Sequence, residues 1–275
     1  MYLLRYSVFM IYFNSLGKYG GFGNQLFQYA VAYVHAKRFQ TEVCTTPHKS
    51  YYHEGYTMMS HFIADYIDLP LKISTDHTPK IEFNESNFLY NESIESIEDE
   101  TNLNGYFQTD KYFLTQRSKI ISLYKNHCFK DKVSSYFYDR GLNPAEVTGI
   151  HVRRNDFLYK QEYHPVQSLE YFEASINECK TKNYLVVSDD KTWCNQVFGS
   201  RPNFTIVETD HDVVDFYILS ECRNQIISNS SFGWWAAYLN INNDKIVVSP
   251  KNWYGNGIYG NQHLSDLIPN NWKLI

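Results

Sequence analysis

From residue 146 to residue 248 the chain alternates short apolar, β-branched runs with helix-patterned segments, and few folds accept that rhythm. Residues 146–152, 184–187, 204–207, 225–227 and 245–248 read as buried strands. Residues 168–176, 191–198, 213–222 and 233–239 read as helices, with Ser168 capping the first. Strands alternating with helices at this density demand a parallel, doubly wound sheet. The N-terminus opens the same way. Residues 1–13 are taken as a first strand, residues 17–25 as a glycine-rich turn, and the spacing predicts a helix over 25–39. Leu26, Phe27, Ala30, Val31 and Val34 would be its core face. A chain of 275 residues has room for two such α/β lobes.

The polar residues that follow the predicted strands carry the chemistry. Strand 146–152 runs into Arg153-Arg154-Asn155-Asp156. Each guanidinium is a planar fork of donors that fits phosphate or carboxylate oxygens. In open α/β sheets, ligands bind at the carboxyl ends of strands. An anion site, most simply for a pyrophosphate, competes here with a structural salt bridge. Ser188-Asp189-Asp190 and Asn229-Ser230-Ser231 follow two further strands. A helix begins just after Ser230-Ser231, so its free N–H groups and dipole favour an anion. Asp189 or Asp190 could accept from a nucleobase or a ribose hydroxyl. Singly, these clusters read equally as a capping pair and a turn; together they favour a nucleotide site. Asp189-Asp190 could instead hold a metal, but fixed arginines can replace one at a leaving diphosphate. In the glycine turn, Gly21 and Gly23 let the backbone approach a ligand. Asn24 and Gln25 follow with amides able to bond it, unless Asn24 is simply the helix N-cap. The third glycine of a dinucleotide fingerprint and the Gly-Lys-Ser/Thr of a P-loop are both missing. His151, inside a strand, reads as a hydrogen-bonded core residue rather than a catalyst.

The remaining segments say less. Residues 41–104 lack a clear period, and 51–56 are aromatic and polar, either acceptor-facing or plain surface loop. Residues 80–102 are acidic and read as weak surface structure. An aromatic turn over 105–113 precedes a helix near 111–124, and the lobe boundary is expected within 126–146. The net charge of −5 argues against nucleic acid or an anionic membrane as main partner. Five scattered cysteines with no CxxC spacing suit reduced thiols, not disulfides or zinc. The apolar N-terminus is too short to span a bilayer and lacks a cleavage pattern. A sequon at Asn229 opens a predicted ligand loop, where a glycan would obstruct binding. These features point to a cytoplasmic protein without a transmembrane segment, leaving peripheral membrane contact open.

The chain resembles the α-1,2-fucosyltransferases of glycosyltransferase family 11 over nearly its whole length. The resemblance rests on an ordered set of motifs: Gly20-Gly21-Phe22-Gly23-Asn24-Gln25-Leu26-Phe27-Gln28-Tyr29-Ala30, Gly105-Tyr106-Phe107-Gln108, and His151-Val152-Arg153-Arg154-Asn155-Asp156-Phe157. It continues through Val187-Ser188-Asp189-Asp190 with Trp193-Cys194, then Ile227-Ser228-Asn229-Ser230-Ser231-Phe232-Gly233-Trp234-Trp235-Ala236-Ala237, and closes at Ser249-Pro250-Lys251-Asn252-Trp253-Tyr254. It implies an α/β fold of GT-B type, two facing Rossmann-like lobes with parallel sheets. Residues 1–140 would form the acceptor-side lobe. Residues 141–275 would bind GDP-fucose, with the C-terminal tail packing back on the first lobe.

The implied reaction is inverting transfer of L-fucose from GDP-fucose to the 2-hydroxyl of a terminal galactose on a glycan, with no metal or other cofactor. The family's roles carry Asn24 and Arg153 into the donor cleft, and Ser230 and Ser231 onto phosphate. Arg153 and Arg154 would stabilise charge developing on the β-phosphate. Asn24 would position donor or acceptor, and Asp156 would hold the arginines, serving only weakly as a base candidate. Gly21, Gly23, His151, Ser188, Asp189, Asp190 and Phe232 complete the expected donor-binding set. Asn155 stands where the family usually has glycine. If that glycine needs positive φ, Asn is the next most tolerant residue. The rival readings are a fucosyltransferase of another linkage, a glycan- or nucleotide-sugar-binding protein without turnover, and a Rossmann oxidoreductase.

Overall fold

The computed structural model describes residues 9–48, 51–52, 59–76, 78–256 and 264–275. Residues 1–8 of the expected first strand, and 53–56 of the aromatic segment, lie outside the described residues. The chain divides into two compact units between Asn126 and His127.

The first unit is a five-stranded parallel sheet in the order β5-β2-β1-β7-β6. Its strands are β1 (Met10–Tyr12), β2 (Glu42–Thr45), β5 (Leu71–Ile73), β6 (Ile81–Asn84) and β7 (Thr101–Asn104). A separate two-stranded pair, β3 (Tyr51–Tyr52) and β4 (Met59–Ser60), is antiparallel. Helix α1 (Phe22–Arg38) crosses from β1 to β2. Leu26, Phe27, Ala30 and Val31 are buried on it as the spacing predicted, and Val34 is half-buried. Gln25, Gln28, Tyr29, Tyr33 and His35 are buried too, so the helix is enclosed on nearly all sides. Burial drives the His35 pKa down to about 4, keeping the ring neutral.

Two expectations need correction here. Residues 80–102, read as weak surface structure, supply β6 and lead into β7. β6 is an exposed edge, whereas Thr101, Asn102 and Leu103 of β7 are buried beside β1. The polar spelling Thr-Asn-Leu-Asn hid a central strand because its amides are used inside the fold: Asn102 Oδ1 accepts from Asn14 N at 3.0 Å. The helix expected near 111–124 is broken into two 3₁₀ turns followed by α2 (Arg117–Tyr124).

The second unit opens with α3 (Lys130–Asp139), inside the interval expected to contain the lobe boundary. Because α3 packs on α6 (Asp212–Glu221), it belongs to the second unit, and the division falls at the very start of the 126–146 interval in which the boundary was expected. The remaining elements are β8 (Val147–Val152), α4 (Leu169–Glu178), β9 (Asn183–Ser188), α5 (Lys191–Phe198), β10 (Phe204–Ile206), β11 (Asn224–Ile227), α7 (Ser231–Leu239), β12 (Val247–Ser249), α8 (Leu264–Leu267) and β13 (Lys273–Leu274). The six strands run parallel in the order β10-β9-β8-β11-β12-β13. The tail was expected to pack back on the first lobe. Its last residues extend the second unit's own sheet, Val248 opposite Lys273.

β8 is buried along its whole length, between β9 and β11. The chain leaves β8 for β9 and β10 on one side, then returns through α6 to β11 on the other. The order therefore reverses between β8 and β11, the crevice where open α/β sheets bind ligands. Register makes β8 and β9 end together and β11 end one residue short of them, with Val152 opposite Ser188 and His151 opposite Ile227. Helix α7 lies on this part of the sheet with Trp234 and Trp235 fully buried. Trp234 Nε1 donates to Leu267 O at 2.8 Å, so the aromatic run is core that also holds the C-terminal segment.

Gly233 is what lets α7 approach so closely. A Cβ there would lie 2.6 Å from His151 Nδ1 and 3.1 Å from Ile227 Cβ, on two neighbouring strands. Gly233→Ala is therefore expected to destabilise the protein by about 1–3 kcal/mol through overpacking, despite alanine's better helix propensity. Urea denaturation checks this; an alanine variant as stable as the parent would show that α7 can shift freely.

Candidate active site

In the second unit, the adjoining strand ends bring the three predicted clusters into contact. Arg153 N donates to Ser228 Oγ at 3.1 Å, and that hydroxyl donates to His151 O at 2.9 Å. Arg154 N donates to Asp189 Oδ1 at 2.9 Å, and Asn155 Nδ2 donates to Asp189 O at 2.9 Å. Thus the β8 end is tied to both neighbours through main-chain and side-chain bonds.

The guanidiniums themselves are held by carboxylates. Arg153 Nη2 donates to Asp156 Oδ1 at 2.5 Å, and its Nη1 lies 2.9 Å from Asp189 Oδ2. That second contact is an ion pair whose alignment falls short of a hydrogen bond. Arg153 also lies over the Phe157 ring, 5.1 Å from its centroid. Arg154 Nε donates to Asp190 Oδ2 at 3.1 Å, and its guanidinium lies 4.2 Å over Trp193. Asp190 does a second job: Oδ1 accepts from Trp193 N at 3.0 Å and caps α5. Burial raises the Asp189 carboxyl, with Arg153 and the Arg154 N–H opposing it. Ser188 Oγ accepts from Asp190 N at 2.9 Å.

At the N-terminus of α7, Ser230 Oγ accepts from Phe232 N at 3.3 Å, and Ser231 is the first helical residue. Phe232 stacks on His151, centroids 5.3 Å apart, and meets Phe216 edge-on at 5.1 Å. His151 is buried, which with Arg153 nearby lowers its pKa to about 3. It is a neutral ring supporting the α7 start, so it brings no positive charge to a phosphate. Asn155 has φ −27°, so this position makes no left-handed demand.

In the first unit, a smaller polar cluster lies at the corresponding place, where the loops after β1 and β7 meet. Asn24 Oδ1 accepts from Gln108 Nε2 at 2.8 Å. Gly20, at φ +82°, lies against the other side of that amide; a Cβ there would meet Asn24 Nδ2 at 2.2 Å. The turn bearing Gln108 is built on Glu85, whose carboxylate accepts from Tyr106 N at 2.7 Å and Phe107 N at 3.0 Å.

A model of the family described as "Glycosyl transferase family 11" matches residues 18–273. The chain belongs to glycosyl transferase family 11. Curated relatives of this family-11 chain include the O-antigen biosynthesis glycosyltransferase WbnK of Escherichia coli, 26% identical, covering 86% of this chain and 93% of the relative. An alpha-1,2-colitosyltransferase of Escherichia coli is 24% identical, covering 86% and 90%. Among solved structures, the NodZ alpha-1,6-fucosyltransferase soaked with GDP-fucose superposes with TM-score 0.52 at 15% identity, over 80% of this chain and 89% of that one. The fold is that of GT-B fucosyltransferases, as the motifs implied.

Several of the residues that the sequence proposed for the site sit differently from expectation. Helix α1 starts at Phe22 with Gly21 as N-cap, so Asn24 is not the cap and its amide is left for other work. Gly23 is buried inside the first turn, and Gly20, at φ +82°, is a glycine that the neighbouring Asn24 side chain requires. Gln25, expected to face a ligand, is spent on the fold: its Nε2 donates to His61 O at 2.7 Å and its Oε1 accepts from Ile63 N at 3.1 Å. Arg153, Arg154, Asp156, Ser188, Asp189 and Asp190 come together as predicted, with Ser230 and Ser231 on the adjoining strand end. The sequence reading passed over Ser228 and Gln108 as site residues, although both lie within its motifs. It also missed Asp215, which only burial reveals.

Asp215 lies in the first turn of α6, accepting from Thr209 Oγ1 at 2.6 Å, with Lys191 Nζ 3.8 Å from its other oxygen. Burial raises its pKa from 3.8 to about 6, against the pull of Thr209 and Lys191. The folded protein thus holds this proton more tightly than the unfolded chain. Its stabilising contribution is complete below the unfolded value and is lost as pH rises through about 6. Relative to Asp215→Asn, wild-type stability should fall by up to ~3 kcal/mol between about pH 4 and pH 7. Urea midpoints of both proteins across that range check it; identical pH profiles would show that Asp215 is not desolvated.

Proposed function

We propose that the protein transfers L-fucose from GDP-fucose to the 2-hydroxyl of a terminal galactose, with inversion at the fucose anomeric carbon. The observation that carries this reading is the joining of the Arg153, Asp189 and Ser228 loops at the switch point of the second sheet. There a preorganised guanidinium stands beside the strand end that leads into the N-terminus of α7. Such a place suits a diphosphate. Membership of family 11 and the α-1,2 linkage in one relative's name support the linkage proposed.

In the proposed reaction the acceptor hydroxyl oxygen attacks the anomeric carbon while the bond from that carbon to the β-phosphate oxygen breaks. GDP leaves with the bonding electron pair, and the hydroxyl proton passes to the phosphate or to solvent. Arg153 donates to the phosphate oxygens as charge grows on them. Asp156 and Asp189 offset part of its charge, so its worth lies chiefly in fixed direction. Arg154 is proposed to act in support: stacked on Trp193 and bonded to Asp190, it sets the height of the loop. Ser230, Ser231 and the first N–H groups of α7 would take the remaining phosphate oxygens. The first unit is assigned to the acceptor, with the Asn24 amide as its donor group. Its Oδ1 is occupied by Gln108, which leaves Nδ2 for an oxygen of the substrate.

Incubation with GDP-fucose and a panel of galactosides, followed by linkage analysis of the product, tests the activity. Arg153→Lys keeps the charge but loses the planar fork, and is expected to lower kcat/KM at least roughly tenfold while far-ultraviolet circular dichroism is unchanged. Normal kinetics in that variant would remove Arg153 from the donor site. No metal is proposed, because Asp189 and Asp190 are both committed to arginine and main-chain donors. Turnover should therefore survive EDTA. Loss of activity restored by Mn²⁺ or Mg²⁺ would make the aspartates metal ligands.

A further inference from the structure

Outside the arginine cluster, the most constrained polar group of the second unit is Gln167, in the loop before α4. Its side chain is buried, and Nε2 lies 3.0 Å from Asn229 Oδ1, 3.1 Å from Asn252 O and 3.2 Å from Pro165 O. Two of these acceptors are main-chain carbonyls, so the amide can present only its NH₂ there. Asn229 is also buried, and its Nδ2 donates to Trp253 O at 2.9 Å. Its orientation is fixed for the same reason: nitrogen toward the carbonyl, oxygen toward Gln167. Two interlocked amides thus join three loops, those following β8, β11 and β12. A further bond joins the outer two, Gly255 N to Tyr163 O at 3.0 Å. There a Cβ on Gly255 would meet Glu162 O at 2.1 Å.

All three loops leave the carboxyl ends of parallel strands. Asn229 lies between Ser228, which is bonded to the β8 end, and Ser230, which caps α7. Its side chain is drawn down into the clamp, away from solvent, which also removes it as an attachment point for a glycan. With Ser228 and Asn229 both fixed, the start of α7 has no freedom relative to Arg153.

The geometry points to Gln167 and Asn229 as positioning residues that set the α7 N-terminus against Arg153 and so govern affinity for the diphosphate of the donor, an inference that rests on the donor reading above. Neither side chain touches the donor in this account. Their effect reaches it through Ser230, Ser231 and the adjoining N–H groups. Removing the Gln167 amide leaves two part-buried carbonyls and the buried Asn229 Oδ1 without this donor, which releases the loops that carry those groups.

The test is GDP affinity of the full-length protein by isothermal titration calorimetry, beside donor and acceptor kinetics. Gln167→Met keeps length and volume but has no amide. It should weaken GDP binding and raise the donor KM roughly tenfold, with acceptor KM within about twofold of the parent. Ser168→Ala is the comparison, since it removes the α4 cap, where Ser168 Oγ accepts from Tyr171 N at 3.3 Å, and spares the clamp. It should lower the melting temperature and leave GDP affinity alone. Equal GDP affinity in the parent and Gln167→Met overturns the clamp while leaving the donor reading intact. A parent that binds no GDP overturns both. Hydrogen exchange on the parent covers the case in which Gln167→Met does not fold. GDP should slow exchange at the Gly255 amide as well as around residues 228–232. Slowing confined to 228–232 sinks the coupling of the three loops.

Discussion

The parallel register of β9, β8 and β11 is the constraint on which the rest of the second unit depends. Val152 opposite Ser188 and His151 opposite Ile227 put Arg153 level with Asp189 and one residue beyond Ser228. A slip of one residue in β8 would turn its side chains to the opposite faces and take Arg153 N away from Ser228 and Arg154 N away from Asp189. The register is fixed by burial: β8 has no exposed residue, and Ile150, Val186 and Ile226 share one core with Phe172 and Phe198. The polar chemistry therefore stands on an apolar foundation that permits one alignment.

On that alignment the electrostatics are balanced. Two arginines face three carboxylates, Asp156, Asp189 and Asp190, with Lys160 Nζ at 4.0 Å from Asp156. Such a cluster is a weak attractor of anions at long range, in keeping with the chain's net charge of −5. Its value is geometric. A guanidinium fixed by carboxylates at two of its nitrogens and by Phe157 beneath cannot rearrange when charge develops nearby, and fixed donors are what stabilise such charge. The two readings that the sequence left open are compatible, because the same salt bridges would keep the proposed anion site rigid.

What the sequence made legible follows the strength of periodic burial. The second sheet was readable because its strands are apolar and its helices are capped by Ser168, Asp190 and Ser230. The first sheet was not, because β7 is spelled with Asn and Thr and β6 is exposed, so neither gives an alternating or a continuous apolar signal. At the site, residue types were readable and their commitments were not. Gln25 and Asn24 are adjacent amides of similar chemistry, yet Gln25 is locked onto the main chain at His61 and Ile63 while Asn24 meets only Gln108 among the bonds described. Which neighbour is structural depends on the helix starting at Phe22 instead of Gln25. A shift of three residues turns an expected cap into a side chain one turn inside the helix.

The same amide chemistry recurs at the switch points of both units, and it sets what each can do. Asn24 with Gln108, and Asn229 with Gln167, are pairs in which one amide fixes the direction of the next. An amide is neutral at every pH the fold survives, so its direction does not change when the carboxylates around Arg153 gain or lose protons. In the second unit both amides are buried and all of their named partners are protein atoms, which gives a rigid frame. In the first unit the Asn24–Gln108 pair is only partly buried. Burial thus divides one motif into two settings: enclosed, it holds loops to each other; partly open, it fixes the direction of the Asn24 amide that the proposed function assigns to a substrate oxygen.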